Sequence, residues 1–137
     1  MRLYDGRVAE RIIAPDGSEI RLIAGAPERA TRAGLCEATL QAGQTSRPVR
    51  HRTVEEIWLF TAGEGLVWRC PPDADPKAVE PAPVKAGDAL VIPTGWSFQF
   101  QASPAGPLIF LCYTTPPWPG DHEAEPAPYG RLGPPTV

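Results

Sequence analysis

The chain is poor in the residues that most often declare a chemistry. In 137 residues it has 3 cysteines, 2 histidines and 1 methionine. Cys36, Cys70 and Cys112 are odd in number and widely spaced, with no C-x-x-C, so neither a disulfide framework nor a zinc knuckle is indicated. Long apolar runs are missing too. Nothing approaches a membrane span, and the opening MRLYDGRVAERIIAPDG has no apolar signal region, so a cytoplasmic protein without a membrane partner is expected. The net charge is −3, and only Arg47, Arg50 and Arg52 cluster among the basic residues. That is no stripe for a phosphate backbone, and nucleic acid is not an expected partner. G-x-S-x-G, P-loop and G-x-G-x-x-G patterns are absent, which removes the commonest hydrolase and nucleotide readings.

What the chain has instead is punctuation, with 18 prolines and 13 glycines. No segment sustains a helical period, and short apolar or alternating runs recur between turn residues. Residues 7–13 and 18–23 flank Ala14-Pro15-Asp16-Gly17, a hairpin turn in which Pro presets φ and Gly accepts a positive φ. Further strands are expected at 34–41, 48–52, 55–61, 65–70, 78–84, 88–92, 96–101 and 107–114. This pattern predicts an all-β sandwich or small barrel, and the length suits one domain. Residues 1–114 are expected to form the barrel with its N-terminal hairpin, and 115–137 a Pro-rich tail. The tail cannot offset its own ordering entropy. It is either frayed or an arm laid over the barrel or a neighbouring subunit, with Trp118 and Tyr129 as anchors; docking is expected for 115–125 and not beyond.

Two segments carry a family resemblance. Residues 43–65, GQTSRPVRHRTVEEIWLFTAGEG, place Gly43, His51, Glu56 and Gly63 at the spacing of the first cupin motif, with Val49 in its first His slot. Residues 87–102, GDALVIPTGWSFQFQA, place Gly87, Pro93 and Gly95 at the spacing of the second motif, with Phe98 in its His slot and Ala102 in its Asn slot. The chain thus resembles a single-domain cupin, which implies a double-stranded β-helix, or jelly-roll barrel. RHRTVEEIW, with PDGSEIRL and TTPPWPGDHEA, is similar to a group of small bacterial cupins to which no defined reaction attaches. The resemblance also implies a homodimer, formed through N-terminal hairpins or a swapped arm that hide sheet edges.

In that family three His and one Glu surround a transition metal, and here only His51 and Glu56 occupy matching positions. Alternation points Val49 where a ligand would sit, and Phe98 likewise offers only a ring. No cofactor is the expectation. The alternative is a divalent Fe, Mn, Ni or Zn held by His51, Glu56 and, if a bulge changed the parity of its strand, Gln99. Without a metal, His51 and Glu56 form an acid/base pair in an apolar surround, or else a retained structural contact.

Glu56, Trp58 and Phe60 share one strand face, and Phe98 and Phe100 share another, with Trp96 near the mouth. These predict an aromatic wall for an apolar or aromatic small molecule, or equally a barrel simply filled. Arg47 shares the parity of Val49 and His51 and would clamp a carboxylate or phosphate of such a ligand at the barrel mouth, or else is ordinary surface charge. The functional expectation is a small-molecule enzyme of isomerase, cyclase or lyase type, with His51 and Glu56 catalytic. A metal-dependent cupin, such as an oxygenase, and a non-catalytic ligand-binding cupin are the alternatives.

Overall fold

The computed structural model describes residues 3–137 and holds eleven strands in two antiparallel sheets. The strands are β1 (Arg11–Ile13), β2 (Glu19–Ala24), β3 (Gly34–Leu40), β4 (Val49–His51), β5 (Glu55–Ala62) and β6 (Glu64–Cys70). After them come β7 (Ala82–Lys85), β8 (Ala89–Ile92), β9 (Ser97–Ala102), β10 (Leu108–Thr115) and β11 (Ala124–Pro126). One sheet runs β1-β2-β3-β10-β5-β8 and the other β11-β4-β9-β6-β7. The all-β double-sheet architecture expected from the turn spacing is present.

The expected hairpin joins β1 to β2. Gly17 takes φ 90°, its N–H donates to the Ala14 carbonyl at 2.8 Å, and the Asp16 carboxylate accepts from the Ser18 N–H at 2.8 Å. The strand expected over 7–13 is shorter than that. Gly6–Val8 is a 3-10 turn because the Asp5 carboxylate caps the Arg7 N–H, leaving Arg11–Ile13 to pair. Residues 78–84 also differ: Pro76–Ala78 turns under an Asp75 cap, and the strand begins at Ala82. Between β5 and β6, Gly63 has φ 82° and a Cβ there would lie 2.1 Å from the Pro107 carbonyl oxygen, so only glycine fits.

Strand β5 alternates strictly, with Glu56, Trp58 and Phe60 buried and Glu55, Ile57 and Leu59 facing out. Its inward rings meet those of β9 and β10. Trp58 stacks on Phe110 with centroids 4.1 Å apart and meets Phe98 and Phe100 edge-on at 5.4 and 5.3 Å. Each such ring removes on the order of 150–250 Å² from water, so this cluster is the main apolar stabilisation of the barrel. It fills one end of the interior.

In the other sheet β6 and β9 carry buried residues on both faces, and the tail covers the outer one. Trp68 and Gln99 point away from the barrel interior, yet each is 0% exposed. Tyr129 packs on Trp68, and the Gln99 amide donates to the Ser46 and Gly133 carbonyls while its oxygen accepts from the Leu132 N–H. Residues 115–137 therefore lie as an arm on their own barrel, along their whole length rather than only to 125. β11 pairs with β4, and Thr136 bonds the Thr45 carbonyl near the end of the chain. The physical cause is the set of polar and aromatic groups on the outer sheet face, Gln99 and Trp68 among them, which the arm covers and helps to satisfy.

Candidate active site

Cross-strand register stacks the inner face of the six-stranded sheet into rows. Gly34, Thr114 and Glu56 form one row, Cys36, Cys112 and Trp58 the next, and Ala38, Phe110 and Phe60 the third. The third row marks the cavity floor, with Ala38 and Phe110 reaching the cavity and Phe60 in the filled end. Above the first two rows lies a cavity of about 640 Å³ with Glu56, His51, Val49 and Trp58 in its wall. The barrel is thus packed at one end and hollow at the other.

His51 ends β4, where Ala124 of the arm pairs with it and the ring of Phe98 stacks on it at 5.5 Å. Its Nε2 lies 3.3 Å from Glu56 Oε1, and its Nδ1 lies 3.9 Å from Glu123 Oε1. The imidazole therefore sits between two carboxylates. Glu56 is oriented by the Trp58 indole N–H, which donates to Oε1 at 3.1 Å. Glu123 is fixed by the Thr53 N–H at 2.6 Å, the Thr53 hydroxyl at 2.7 Å and the Val54 N–H at 2.8 Å.

Burial works against charge on His51, but the bond to Glu56 and the negative fields of Glu56, Glu123 and Asp16 outweigh it and raise its pKa. Burial would raise Glu56, yet its contacts with His51, Cys112 and Trp58 hold it below the ordinary carboxylate value. Asp16 goes the other way. Burial in the cavity wall raises it, and the two bonds from Ser18 only partly offset that. Burial pushes the Cys112 thiol well up, and Cys36 and Glu56 beside it push the same way. The site holds one imidazole between two carboxylates, with a further carboxyl group, Asp16, whose pKa burial moves upward.

Of the residues singled out in the sequence, His51, Glu56, Val49 and Trp58 come together on the cavity. Phe60, Phe98 and Phe100 lie behind them in the packed end, fully buried. Trp96 is half-buried against the core edge and off the cavity wall. Arg47 does not reach the cavity: it is exposed, and its Nε donates to the Val137 carbonyl at 2.8 Å. Arg50 and Arg52 pair with Glu125 of the arm at 2.7 and 3.2 Å. Sequence reasoning missed Glu123, hidden in a segment without periodicity, and Asp16, whose turn role masked its place on the cavity. It also missed Thr114 and the Cys36–Cys112 pair. Continued alternation along β3 and β10 was the signal that pointed these inward.

No protein-family model and no curated protein sequence matches the chain. Solved structures do. Oxalate decarboxylase from Bacillus subtilis superposes over 90% of this chain with a TM-score of 0.75 and 15% identity. The match covers only 31% of the decarboxylase chain, so this protein spans about a third of that length. The polyketide cyclase RemF from Streptomyces resistomycificus superposes over 95% of this chain and 87% of its own, with a TM-score of 0.70 and 19% identity. The capsular polysaccharide assembling protein CapF from Staphylococcus aureus matches 85% of this chain and 33% of its own, at 0.68 and 13%. The chain has the cupin fold. At these identities the likeness is one of fold.

Cupins of this shape include the Mn(II) centres of the Bacillus decarboxylase, so the fit of a metal to these residues is a direct question. They do not fit the four-ligand set. Val49 and Phe98 are cross-strand partners, 3% and 1% exposed, so two adjacent ligand slots hold packed hydrocarbon. Gln99 faces the opposite side of its strand, where Ser46 and the Leu132 and Gly133 backbone of the arm take up its amide. Among the described residues no group of three or more His, Cys, Asp and Glu is placed to hold an ion. His51 and Glu56 remain as two donors, fewer than the three protein ligands typical of a catalytic zinc site.

Proposed function

We propose that this protein is a small-molecule cupin enzyme of isomerase, cyclase or lyase type, which moves protons on a substrate in the cavity without a tightly held metal. The observation that carries this reading is the pairing of Glu56 and His51 at the wall of an apolar cavity, with Glu123 behind the imidazole. His51 is the general base or acid. Its Nε2 lies toward Glu56, while Glu123 near Nδ1 favours the imidazolium that forms when a proton is taken up. Glu56 orients the ring and serves as the second proton-transfer group. Trp58, Phe110 and Val49 supply apolar contact and limit water around the reacting atoms.

Non-redox chemistry is favoured because the groups assembled are proton carriers with pKa values pushed in different directions, a pattern associated with acid–base sites. Working as a homodimer is part of the same reading. Ile57, Leu59, Val91 and Tyr113 are 44%, 44%, 39% and 43% exposed, and register makes them neighbours on the outer face of β8, β5 and β10.

The test is proton exchange. The protein is incubated in D₂O with a panel of apolar ketones and polyketide-like compounds, and deuterium uptake next to a carbonyl is read by mass spectrometry. Uptake that is catalysed by the wild type and lost in His51→Ala supports the reading. Uptake undiminished in both His51→Ala and Glu56→Gln would end it.

A further inference from the structure

The cavity has a marked asymmetry of charge. Among the described residues its wall contains no lysine and no arginine, while Asp16 and Glu56 lie within it and Glu10 and Glu28 stand nearer the mouth. Neither Glu10 nor Glu28 is in an ion pair among the described residues, whereas Asp5 at the rim is taken by Arg7 at 2.8 Å. Inside, one imidazole faces Glu56 and Glu123, so even a protonated His51 leaves the trio with an excess of negative charge.

Acidic groups alone define no ligand, but two further features do. Thr114 is 2% exposed and its hydroxyl has no hydrogen-bond partner, although it lies on the cavity wall beside Glu56. A buried hydroxyl without a protein partner is costly, and a polar ligand atom would satisfy it. The cavity is also lined by the rings of Trp58 and Phe110 on the inside and by Trp118 of the arm near the mouth. Aromatic faces attract a cation as well as an apolar body.

We infer that the cavity takes an apolar ligand bearing a protonated amine, held by Asp16, Glu56 and the aromatic walls, and that it rejects carboxylates. This rests on the proton-transfer reading only in sharing its cavity. The carboxylated ligand expected from the sequence had Arg47 as its clamp, and Arg47 is spent on Val137 outside the cavity. A second carboxylate brought near Asp16 and Glu56 meets like charge in a medium of low dielectric, where such contacts are far stronger than in water. An ammonium instead stabilises the charged form of Asp16, which burial disfavours.

Three probes share one indole ring and differ in the group at the end of the chain: tryptamine, tryptophol and indole-3-acetate. Isothermal titration at pH 7.5 and low salt measures each against the full chain. Tryptamine is expected to bind roughly tenfold tighter than tryptophol, and tryptophol roughly tenfold tighter than indole-3-acetate. Asp16→Asn and Glu56→Gln, each checked for a native melting transition, are expected to shrink the tryptamine preference. Indole-3-acetate binding as tightly as tryptamine overturns the inference, and so does failure of all three to bind at millimolar concentration. An ordering unchanged in both folded variants overturns it as well; if a variant fails to fold, the wild-type ordering decides. The probes need no turnover, so this outcome is independent of the deuterium-exchange result for His51.

Discussion

His51 Nδ1 lies 3.9 Å from Glu123 Oε1, on the side of the ring away from Glu56. The partner comes from the C-terminal arm, and the arm is held by the same carboxylate through three bonds to Thr53 and Val54. Docking of the arm and charge on the imidazole are thereby linked. Glu123→Ala leaves two backbone N–H groups without acceptors, a loss of about 1–3 kcal/mol for each buried group left unpaired. Denaturant melts of Glu123→Ala are expected to show destabilisation of at least that order. A melt identical to wild type would separate the arm from the site.

The pair also sets a pH dependence. His51 is raised above its ordinary 6.5, so its contribution to stability is full below that value and is lost as pH rises through the folded value. Glu56 is lowered from its ordinary 4.5, so its contribution is present above 4.5 and is lost as pH falls through its folded value. The stability difference between wild type and His51→Ala should therefore shrink as pH rises above 6.5. Chemical denaturation across that range measures it, and a difference that grows with pH contradicts the pairing with Glu56, Glu123 and Asp16.

Removing the acid/base groups should affect rate more than binding. For a substrate identified by deuterium exchange, His51→Ala and Glu56→Gln are expected to lower kcat by about 10²–10⁴-fold while KM changes little. A change confined to KM would place both residues in binding alone.

The arm should be a structural necessity rather than an ornament. Ending the chain at residue 126 uncovers Trp68 and leaves the Gln99 side chain without Leu132 and Gly133. Exposure of one large ring corresponds to about 1.5–3 kcal/mol, before the lost hydrogen bonds are counted. The shortened protein is expected to melt lower and to aggregate. A wild-type melting profile would show the cover to be dispensable.

On the outer face, Leu59→Glu places charge in the exposed patch with Ile57, Val91 and Tyr113. Sedimentation velocity should show dimeric wild type and monomeric variant. A monomeric wild type contradicts the proposed assembly.

Much of the fold was legible because local rules agree with it. Glycines at 43, 63, 87 and 95 all adopt positive φ, as turns between short strands require. Strict alternation put Glu56 and Trp58 on one wall and Val49 and His51 on the other. The arm was legible only in part. Its placement depends on Gln99 and Trp68, and a Gln between two phenylalanines looks like an outward residue until something covers it. Arg47 failed as a clamp for a similar reason: parity gave a direction, but Pro48 and the distant Val137 decided where the guanidinium went. Asp16 and Glu123 are brought to His51 by long-range contacts, and their neighbours in sequence carry no trace of that.

The central claim is that Glu56 holds a proton-carrying His51 in the cavity, and the titration of the His51 imidazole by NMR tests it most directly. His122→Gln assigns the signal, since the chain has 2 histidines. His51 is expected to titrate above the ordinary imidazole value, and its pKa to fall clearly in Glu56→Gln. A His51 that titrates at or below that value, and does not move in Glu56→Gln, would contradict it.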